Sequence, residues 1–256
     1  MAVSYSHDEE GVVGVLNAQA SSSVVLVCEH ASAIIPAEYN HLGIQPSHRS
    51  SHAVWDPGAF AVASSLAKEM EAKLVFSKVS RLIYDCNRAP DAADAMPARS
   101  EIIEVPGNAD LSPEERQQRI DTYYKPFRNR LARELAATKL PTLITIHSFT
   151  PVYNGKKRDV EIGLLHDQDQ RLADAMFETS QNHTSHIVRL NEPYGADDGV
   201  THTLHEHGVK NGYPNIMLEI RNDLIATTSQ QTGMAKVLSA WLADTLKTLK
   251  TEKAAE

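Results

Sequence analysis

Short apolar runs rich in β-branched residues alternate with longer amphipathic segments along this chain. Such runs are typical of strands that are buried on both faces of a parallel sheet. The strands that they predict are residues 24–28, 74–79, 142–147, 159–165, 186–190 and 215–220. The alternation predicts an α/β fold with a mostly parallel central sheet flanked by helices on both faces.

Helical periodicity marks three segments between and after these strands. Residues 57–72 form the first helix, with Asp56 as its N-cap. Residues 112–137 form the second, which starts with a capping box and has a kink near Pro126. The last carries an apolar stripe over residues 234–249 that should dock on the sheet.

Two proline-containing stretches, residues 31–55 and 89–111, are long for loops inside a compact domain. Loops of this length are usually functional or disordered. No repeat, low-complexity tract or linker divides the chain. We therefore expect a single domain over residues 1–256, with its core at about residues 23–242.

The composition is ordinary for a soluble globular protein, with 42% apolar and 23% charged residues. A net charge of −8 provides no basic field to hold phosphates, which argues against nucleic-acid and anionic-membrane partners. No apolar stretch approaches the roughly 20 residues that span a bilayer, and residues 1–19 lack the pattern of a secretory signal. We expect a cytoplasmic protein in which Cys28 is a buried, reduced thiol. Two cysteines make no disulfide framework, and a single bridge between Cys28 and Cys86 is the alternative.

Three predicted strands end on side chains that bind metals or move protons. The first runs into Glu29 and His30, the third into His147, and the last into Glu219. In open α/β sheets the ligand crevice lies outside the carboxyl ends of the strands. Imidazole and carboxylate groups brought to one edge are what a hydrolytic metal site needs, so the pattern indicates an enzyme.

Two carboxylates are alternatives for completing a metal site with the histidines. Asp56 starts the first helix at the same edge of the sheet as His30, so its carboxylate could cap that helix or bind the metal. Glu29 could bind the metal itself or orient His30. His52 is a weaker candidate of the same kind.

Glu219 lies inside an apolar run, where a carboxylate is costly to bury unless something holds it. Arg221, two residues further along the strand, could be its ion partner. The interpretation that we favour is a general base whose pKa is set by burial and by the metal.

Two further polar clusters lead to different expectations. Arg81, Asn87 and Arg88 follow the predicted strand 74–79, and guanidinium groups bind carboxylates through paired hydrogen bonds, so this cluster predicts a carboxylate-recognition pocket. The histidines within residues 202–207 match no common zinc spacing. We expect them on a solvated helix face.

Seven motifs, taken in order, resemble those of the N-formylglutamate amidohydrolase family. The motifs are Cys28-Glu29-His30-Ala31, His52-x-x-Trp55-Asp56-x-Gly58-Ala59, Ser80-Arg81-Leu82, Asp85-x-Asn87-Arg88, His147-Ser148-Phe149-Thr150-Pro151, Asn191-Glu192-Pro193-Tyr194 and Glu219-Ile220-Arg221-Asn222-Asp223-Leu224-Ile225. The resemblance implies hydrolysis of the formyl amide of an N-formyl amino acid, most simply N-formyl-L-glutamate. The zinc ligands that it implies are His30, Asp56 and His147. Glu219 would be the general base, and the clamp on the substrate's carboxylate would be Arg81, Asn87 and Arg88.

A more distant resemblance is to the zinc carboxypeptidases, whose second histidine ligand, carboxylate clamp and catalytic glutamate are similar to His147, Asn87-Arg88 and Glu219. It implies a zinc-carboxypeptidase-like fold. That pattern places a glutamate three residues after the first histidine ligand, where this chain has Ala33. Asp56 could supply the missing carboxylate after an insertion, with Glu29 as the fallback.

Two other functions are alternatives to a small-molecule deformylase. One is a hydrolase of the same chemistry acting on another N-acyl amino acid or a small peptide. The other is a catalytically silent protein that keeps only the carboxylate clamp. Intact His147 and Glu219 count against a silent protein.

Overall fold

An eight-stranded sheet forms the centre of the computed structural model, which describes residues 5–7 and 11–255. Its strands are β1 (Tyr5–His7), β2 (Val13–Leu16), β3 (Val24–Cys28), β4 (Lys73–Ser77), β7 (Thr142–Phe149), β10 (Ile162–Leu165), β11 (Val188–Leu190) and β12 (Asn215–Arg221). Two small hairpins lie outside this sheet: β5 (Arg99–Ser100) with β6 (Ile103–Glu104), and β8 (Val152–Tyr153) with β9 (Lys156–Lys157).

The strand order is β1-β2-β4-β3-β7-β12-β10-β11. The four central strands β4, β3, β7 and β12 are parallel, and so are β10 and β11. The other pairs, β1–β2, β2–β4 and β12–β10, are antiparallel. The prediction of a mostly parallel sheet is therefore confirmed, and a strand is found within or beside every predicted run. Strand β2 was not predicted, because it is four residues long and contains Gly14.

Five α-helices pack around the sheet within the described part of the chain. They are α1 (Ala59–Glu69), α2 (Pro113–Arg119), α3 (Lys125–Ala136), α4 (Arg171–His183) and α5 (Thr228–Ala255). Side chains alternate between the faces of β3, so that Leu26 and Cys28 pack with α1, α4 and α5, whereas Val25 and Val27 pack with α3 on the other face. The predicted arrangement of helices on both faces is confirmed.

The first helix begins later than the sequence predicts. Its N-cap is Gly58 and not Asp56, and the helix starts at Ala59. Gly58 has a φ of +84°, and a Cβ atom there would lie 2.6 Å from the carbonyl oxygen of Ile225. The turn therefore requires glycine at this position. The N-cap assignment of Asp56 is wrong, and its carboxylate is directed elsewhere.

The other two predicted helices are present. Ser112 and Glu115 form the expected capping box at the start of α2. A π-helical turn, Ile120–Tyr124, then joins α2 to α3 just before Pro126, where the sequence predicts a kink. Helix α5 buries the predicted stripe against the sheet, with Trp241 fully enclosed.

The two long loops are ordered, and their buried residues pack on the same face of the sheet as α3. They contain short 3₁₀ helices at Ala37–Gly43, Pro46–His48, Ala93–Ala95 and Pro106–Asn108. Outside these two loops, the chain contains the 3₁₀ helices Ala196–Asp198, Val209–Asn211 and Asn222–Ile225 and the π-helical turn Leu204–Gly208. Leu42, Val54, Met96 and Val105 are almost fully buried beside the sheet. These loops therefore cover that face of the sheet together with α3.

Two expectations from the sequence, on the cysteines and on membrane-spanning segments, can be compared with the structure. Cys28 and Cys86 are both buried and form no disulfide. Within the described residues, no helix has the length and apolar character needed to cross a membrane.

We predict that Gly163→Ala destabilises the fold by about 1–3 kcal/mol, because overpacking a closed site forces the backbone to shift. A Cβ atom at Gly163 in β10 would overlap the carbonyl oxygen of Glu192. Urea unfolding followed by circular dichroism measures the change.

Gly233→Ala in α5 is the matched control, since a Cβ atom there meets nothing within 4 Å. It should stabilise the protein by about 0.5–1 kcal/mol through helix propensity. An unchanged midpoint for Gly163→Ala would show that this close approach is not a constraint on the fold.

Candidate active site

The site lies where the chain reverses its direction of travel across the sheet. From β3 the chain crosses through α1 to β4 on one side, and it later returns to β7 on the other side of β3. Such a switch point opens a crevice at the carboxyl ends of the two strands. His30 follows β3 by two residues, and His147 lies near the end of β7.

Two imidazole rings and one carboxylate meet in this crevice. The Nδ1 atoms of His30 and His147 are 3.2 Å apart, and they lie 3.2 and 2.9 Å from Oδ2 of Asp56. Tetrahedral zinc with bonds of about 2.0–2.1 Å separates its ligand atoms by about 3.3 Å. The triangle therefore has the dimensions of three zinc ligands. Among the residues that the structure describes, these three form the group of His, Cys, Asp and Glu side chains that could hold a metal ion.

Each histidine turns its other ring nitrogen toward a buried carboxylate. Nε2 of His30 lies 2.7 Å from Oδ1 of Asp85. Nε2 of His147 lies 3.1 Å from Oε2 of Glu29, although the two groups are not aligned as a hydrogen bond. Metal-binding histidines are usually held in this way, with a carboxylate behind the ring that fixes its tautomer and orientation.

This arrangement corrects the expected role of Glu29. The sequence suggests that Glu29 orients His30 or binds the metal, but the structure places it behind His147. Asp85 occupies the corresponding position behind His30. Asp56 is the carboxylate that faces both histidines.

Burial and charge work against each other in this cluster. Burial by itself would raise the pKa of Asp56, but the charges of His30 and His147 and their hydrogen bonds outweigh it and lower that pKa. The pKa of Asp85 is likewise lowered well below its ordinary value, against burial, by His30 and Arg81. For His147 burial would lower the pKa, yet Glu29 and Asp56 raise it well above the ordinary value. The cluster therefore holds its carboxylates ionised and attracts positive charge.

His30, Asp56 and His147 are called the metal group below, because they could hold a metal ion. Arg81 links this group to Asp85, the carboxylate behind His30. Its guanidinium lies 3.4 Å from Oδ1 of Asp56 and 2.7 Å from Oδ2 of Asp85. The backbone N–H of Ser148 also donates to Oδ2 of Asp56, at 3.2 Å. The residues present fit a divalent cation, because ionised carboxylates and two facing imidazoles surround one small space.

Glu219 lies directly beside the metal group. On the parallel strands β12 and β7, Glu219 is in register with His147. Burial raises the pKa of Glu219 to about 7, with the charge of His147 opposing the rise and that of Asp56 adding to it. Its Oε2 atom is buried and has no hydrogen-bond partner. A carboxyl group with these properties is suited to accept and return a proton near neutral pH.

The alternative ion pair between Glu219 and Arg221 does not form. Arg221 instead binds Asp223 at 2.8 Å and Glu161 at 3.2 Å. Because its guanidinium is engaged by these two carboxylates, Arg221 does not neutralise Glu219.

A cavity of about 180 Å³ opens in front of the metal group. His30, Asp56, His147 and Glu219 all line it. The residues of the expected carboxylate clamp also line it: Arg81, Asn87 and Arg88. The candidate metal ligands His30, Asp56 and His147, the candidate base Glu219 and the three clamp residues therefore line one cavity, whereas Glu29 does not.

The clamp residues carry protein contacts of their own. The amide nitrogen of Asn87 donates to the carbonyl of Val200, while its oxygen accepts from the N–H of Thr203 at 3.0 Å. One amide hydrogen of Asn87 remains available to a ligand. Arg88 is 2.7 Å from Asp94 and donates to the carbonyl of Gly199.

The other histidine candidates lie away from the metal group. His52 lines the outer part of the cavity and pairs with Glu101 at 2.9 Å. His202 bonds the hydroxyl of Tyr124, and His207 is buried in the π-helical turn. The expectation of a solvated helix face is therefore wrong for His207, whose pKa burial lowers to about 4.

Sequence reasoning missed three residues of this region. The sequence predicts no separate role for Asp85, although its place after β4 at the same edge as His30 is a usable signal. Tyr194 belongs to one of the seven motifs, but no role is predicted for it. Arg158 contacts the cavity wall from behind, and no sequence pattern singles it out.

Comparison with known proteins identifies the family of this chain. The family model of N-formylglutamate amidohydrolase matches residues 22–226. A search of curated proteins finds no match. A gene product of Agrobacterium tumefaciens has 49% identity and a TM-score of 0.91, with 93% of this chain and 96% of that chain covered.

More distant structures share less sequence. The N-formylglutamate amidohydrolase of Ralstonia eutropha has a TM-score of 0.64 at 15% identity, covering 96% of this chain and 98% of that chain, which shows a shared fold. A metallo-carboxypeptidase of Burkholderia cenocepacia has a TM-score of 0.46 at 11% identity, covering 96% of this chain and 65% of that chain. With its family model matched over residues 22–226, the chain belongs to the N-formylglutamate amidohydrolase family.

Proposed function

We propose that this protein is a zinc-dependent hydrolase that cleaves the formyl amide of an N-formyl amino acid, with N-formyl-L-glutamate as the first candidate. The observation that carries the proposal is the triangle of His30, Asp56 and His147 with Glu219 beside it. The family membership supports the substrate, and the donor set supports zinc.

In this proposal Nδ1 of His30, Nδ1 of His147 and Oδ2 of Asp56 would hold the zinc ion. When bound, zinc supplies a Lewis acid that lowers the pKa of a water molecule and polarises the formyl carbonyl. Asp85 and Glu29 keep the two imidazoles in the orientation that turns Nδ1 inward.

Glu219 moves the proton. Its carboxylate takes a proton from the attacking water as the new C–O bond forms at the formyl carbon. It then gives that proton to the amide nitrogen as the C–N bond breaks. The products are the free amino acid and formate, and one water molecule is consumed.

The substrate's carboxylate would bind beside Arg81 and Arg88, which line the same cavity as His30, Asp56 and His147. Arg81 and Arg88 provide the positive charge, and the free amide hydrogen of Asn87 adds a hydrogen bond. Fixing the carboxylate holds the scissile bond beside Glu219, which lowers the entropic part of the barrier.

The size of the cavity favours an amino acid over a peptide. At about 180 Å³ it is smaller than the roughly 300–1,000 Å³ of sites for drug-sized ligands. A silent carboxylate-binding protein would have no need of a buried, unpartnered Glu219 beside the metal group.

The first prediction is that purified protein releases formate from N-formyl-L-glutamate only when it is loaded with metal. Chelation should abolish release, and zinc should restore it. Glu219→Gln should lower kcat by about 10²–10⁴-fold, because it removes the proton acceptor while keeping the shape. Formate is measured with a coupled formate dehydrogenase assay.

Zinc content measured on the same samples provides the control. Glu219→Gln should retain its zinc, since Glu219 is outside the ligand group. Full activity in the chelated, metal-free protein would contradict the metal mechanism. A lack of formate release by zinc-loaded protein would contradict the substrate.

A second prediction concerns the carboxylate behind His30. Asp85→Asn should weaken zinc binding by about 10–100-fold, because the ring loses the charged partner that orients it. Competition with a chromophoric chelator measures the affinity.

Asp244→Asn is the matched control, because Asp244 also pairs with a histidine, His183, but on the surface. It should leave zinc affinity unchanged. Equal affinities for Asp85→Asn and the wild type would remove Asp85 from the proposed site.

A third prediction tests the size of the cavity. An N-formyl dipeptide should have a kcat/KM at least about tenfold below that of N-formyl-L-glutamate, since a cavity of about 180 Å³ has little room for a second residue. Comparable values would favour a peptidase-like function over an amino-acid deformylase.

A further inference from the structure

The side chain of a bound N-formyl amino acid must occupy the part of the cavity that the rest of the molecule leaves open. In the proposed function its carboxylate lies beside Arg81 and Arg88, and its formyl group lies at the metal group. Outside these residues, Asn87 and Glu219, the charged side chains that line the cavity are His52 and Glu101. This pair therefore decides which charge the cavity accepts on the substrate's side chain.

The carboxylate of Glu101 is held in place by two other segments of the chain. Glu101 lies in the turn between β5 and β6 and has a φ of +54°. Its Oε1 accepts from the backbone N–H of Asn154, in the turn between β8 and β9, at 3.2 Å. Its Oε2 lies 2.9 Å from Nε2 of His52, and the side chain is only 13% exposed. The carboxylate would lose both contacts if it turned away from the cavity into solvent.

The cations that line the cavity are already engaged by protein carboxylates. Arg81 and Arg88 each form ion pairs, and in the proposed function both also bind the carboxylate next to the scissile amide. His52 faces Glu101. Even when its imidazole is protonated, the His52–Glu101 pair carries no net positive charge to attract a second carboxylate.

Two further arginines lie close by, but neither lines the cavity. The guanidinium carbon of Arg158 is 4.6 Å from the ring centre of Tyr153, and it is this ring that lines the cavity. Arg99 is 63% exposed and donates to the main-chain carbonyl of Glu101, not to its carboxylate. Within the described part of the chain, a second substrate carboxylate would thus meet Glu101 without a lining cation left to bind it.

A side chain with an uncharged donor fits the same place. Each carboxylate oxygen can accept two hydrogen bonds, and each oxygen of Glu101 makes one of the contacts given above. An amide N–H of the substrate could therefore donate to Glu101. A carboxylate in that position would lose its water and gain a like charge in return.

We propose that Glu101 is a specificity-determining residue, which favours N-formyl amino acids whose side chain is uncharged and ends in a hydrogen-bond donor. The inference rests on the proposed function, because it keeps the metal group, the base and the clamp as described there. It ranks the substrates of that reaction. N-formyl-L-glutamate is hydrolysed, but less well than N-formyl-L-glutamine.

These two substrates are matched probes, because their side chains have nearly the same shape and differ in charge. For the zinc-loaded wild type, kcat/KM from formate release should be at least about tenfold higher for N-formyl-L-glutamine. The ratio of the two values is the readout. A change that only loosens the cavity wall would alter both values alike and leave the ratio in place.

Glu101→Gln removes the charge and keeps both the shape and an acceptor for Asn154. The ratio should fall to within about threefold of one, mainly because kcat/KM for N-formyl-L-glutamate rises. Glu104→Gln is the matched control. Glu104 belongs to the same hairpin, but its side chain is 69% exposed and does not line the cavity. This variant should keep the ratio of the wild type.

His52→Gln separates the role of Glu101 from that of its neighbour. The substitution removes the group that balances Glu101, so the preference for the amide should persist or increase. A wild-type preference for N-formyl-L-glutamate that His52→Gln abolishes would overturn the inference, and it would assign the recognition of the side chain to His52.

The same assay distinguishes failure of this inference from failure of the proposed function. Equal kcat/KM values for the two substrates in the wild type would overturn the role of Glu101, and so would a ratio that Glu101→Gln leaves unchanged. In both cases formate release would still support the proposed function. If zinc-loaded protein releases formate from neither substrate, the proposed function fails and this inference falls with it.

Discussion

The burial of ionised carboxylates at the ends of parallel strands is the constraint on which the rest of the site depends. Glu29, Asp56 and Asp85 are all nearly inaccessible to water, and isolated buried carboxylates are unstable. They stay ionised in this site because His30 and His147 lie between them. Each imidazole nitrogen faces either a carboxylate or the space enclosed by His30, Asp56 and His147. A divalent cation in that space would balance the charge that the imidazoles and Arg81 offset only in part.

The fold supplies this arrangement through its topology. Strands β3 and β7 are neighbours, yet their connections leave in opposite directions, which opens the crevice between them. Gly58 lets the chain turn sharply into α1, so that Asp56 remains outside the helix and faces His147. Because Gly58 is the N-cap of α1, Asp56 does not cap this helix, and its carboxylate is available to a metal ion.

The architecture and most of the site were predictable from local patterns. The apolar runs predict the strands, and the polar groups at their ends indicate His30, His147 and Glu219 as candidate site residues. The pattern is ambiguous for Asp56, since an aspartate before a proline fits a helix start equally well, and only the backbone at Gly58 excludes the capping role.

The parts that could not be predicted depend on contacts between distant segments. Glu29 pairs with the histidine of another strand, and no local spacing shows this. Arg158 donates a hydrogen bond to the hydroxyl of Tyr194, 36 residues away in sequence, and no local pattern shows this contact either. Conversely, the apolar residues of the two long loops are too scattered to show periodicity, so the sequence does not predict that they pack into the core with α3.

X-ray absorption at the zinc edge tests the central claim most directly. For zinc-loaded protein, the account predicts two imidazoles and oxygen ligands at about 2.0–2.2 Å, with no sulfur. The signal of one imidazole should be lost in either His30→Ala or His147→Ala. A spectrum with sulfur ligands, or one that neither substitution alters, would contradict the assignment of His30, Asp56 and His147 as the metal site.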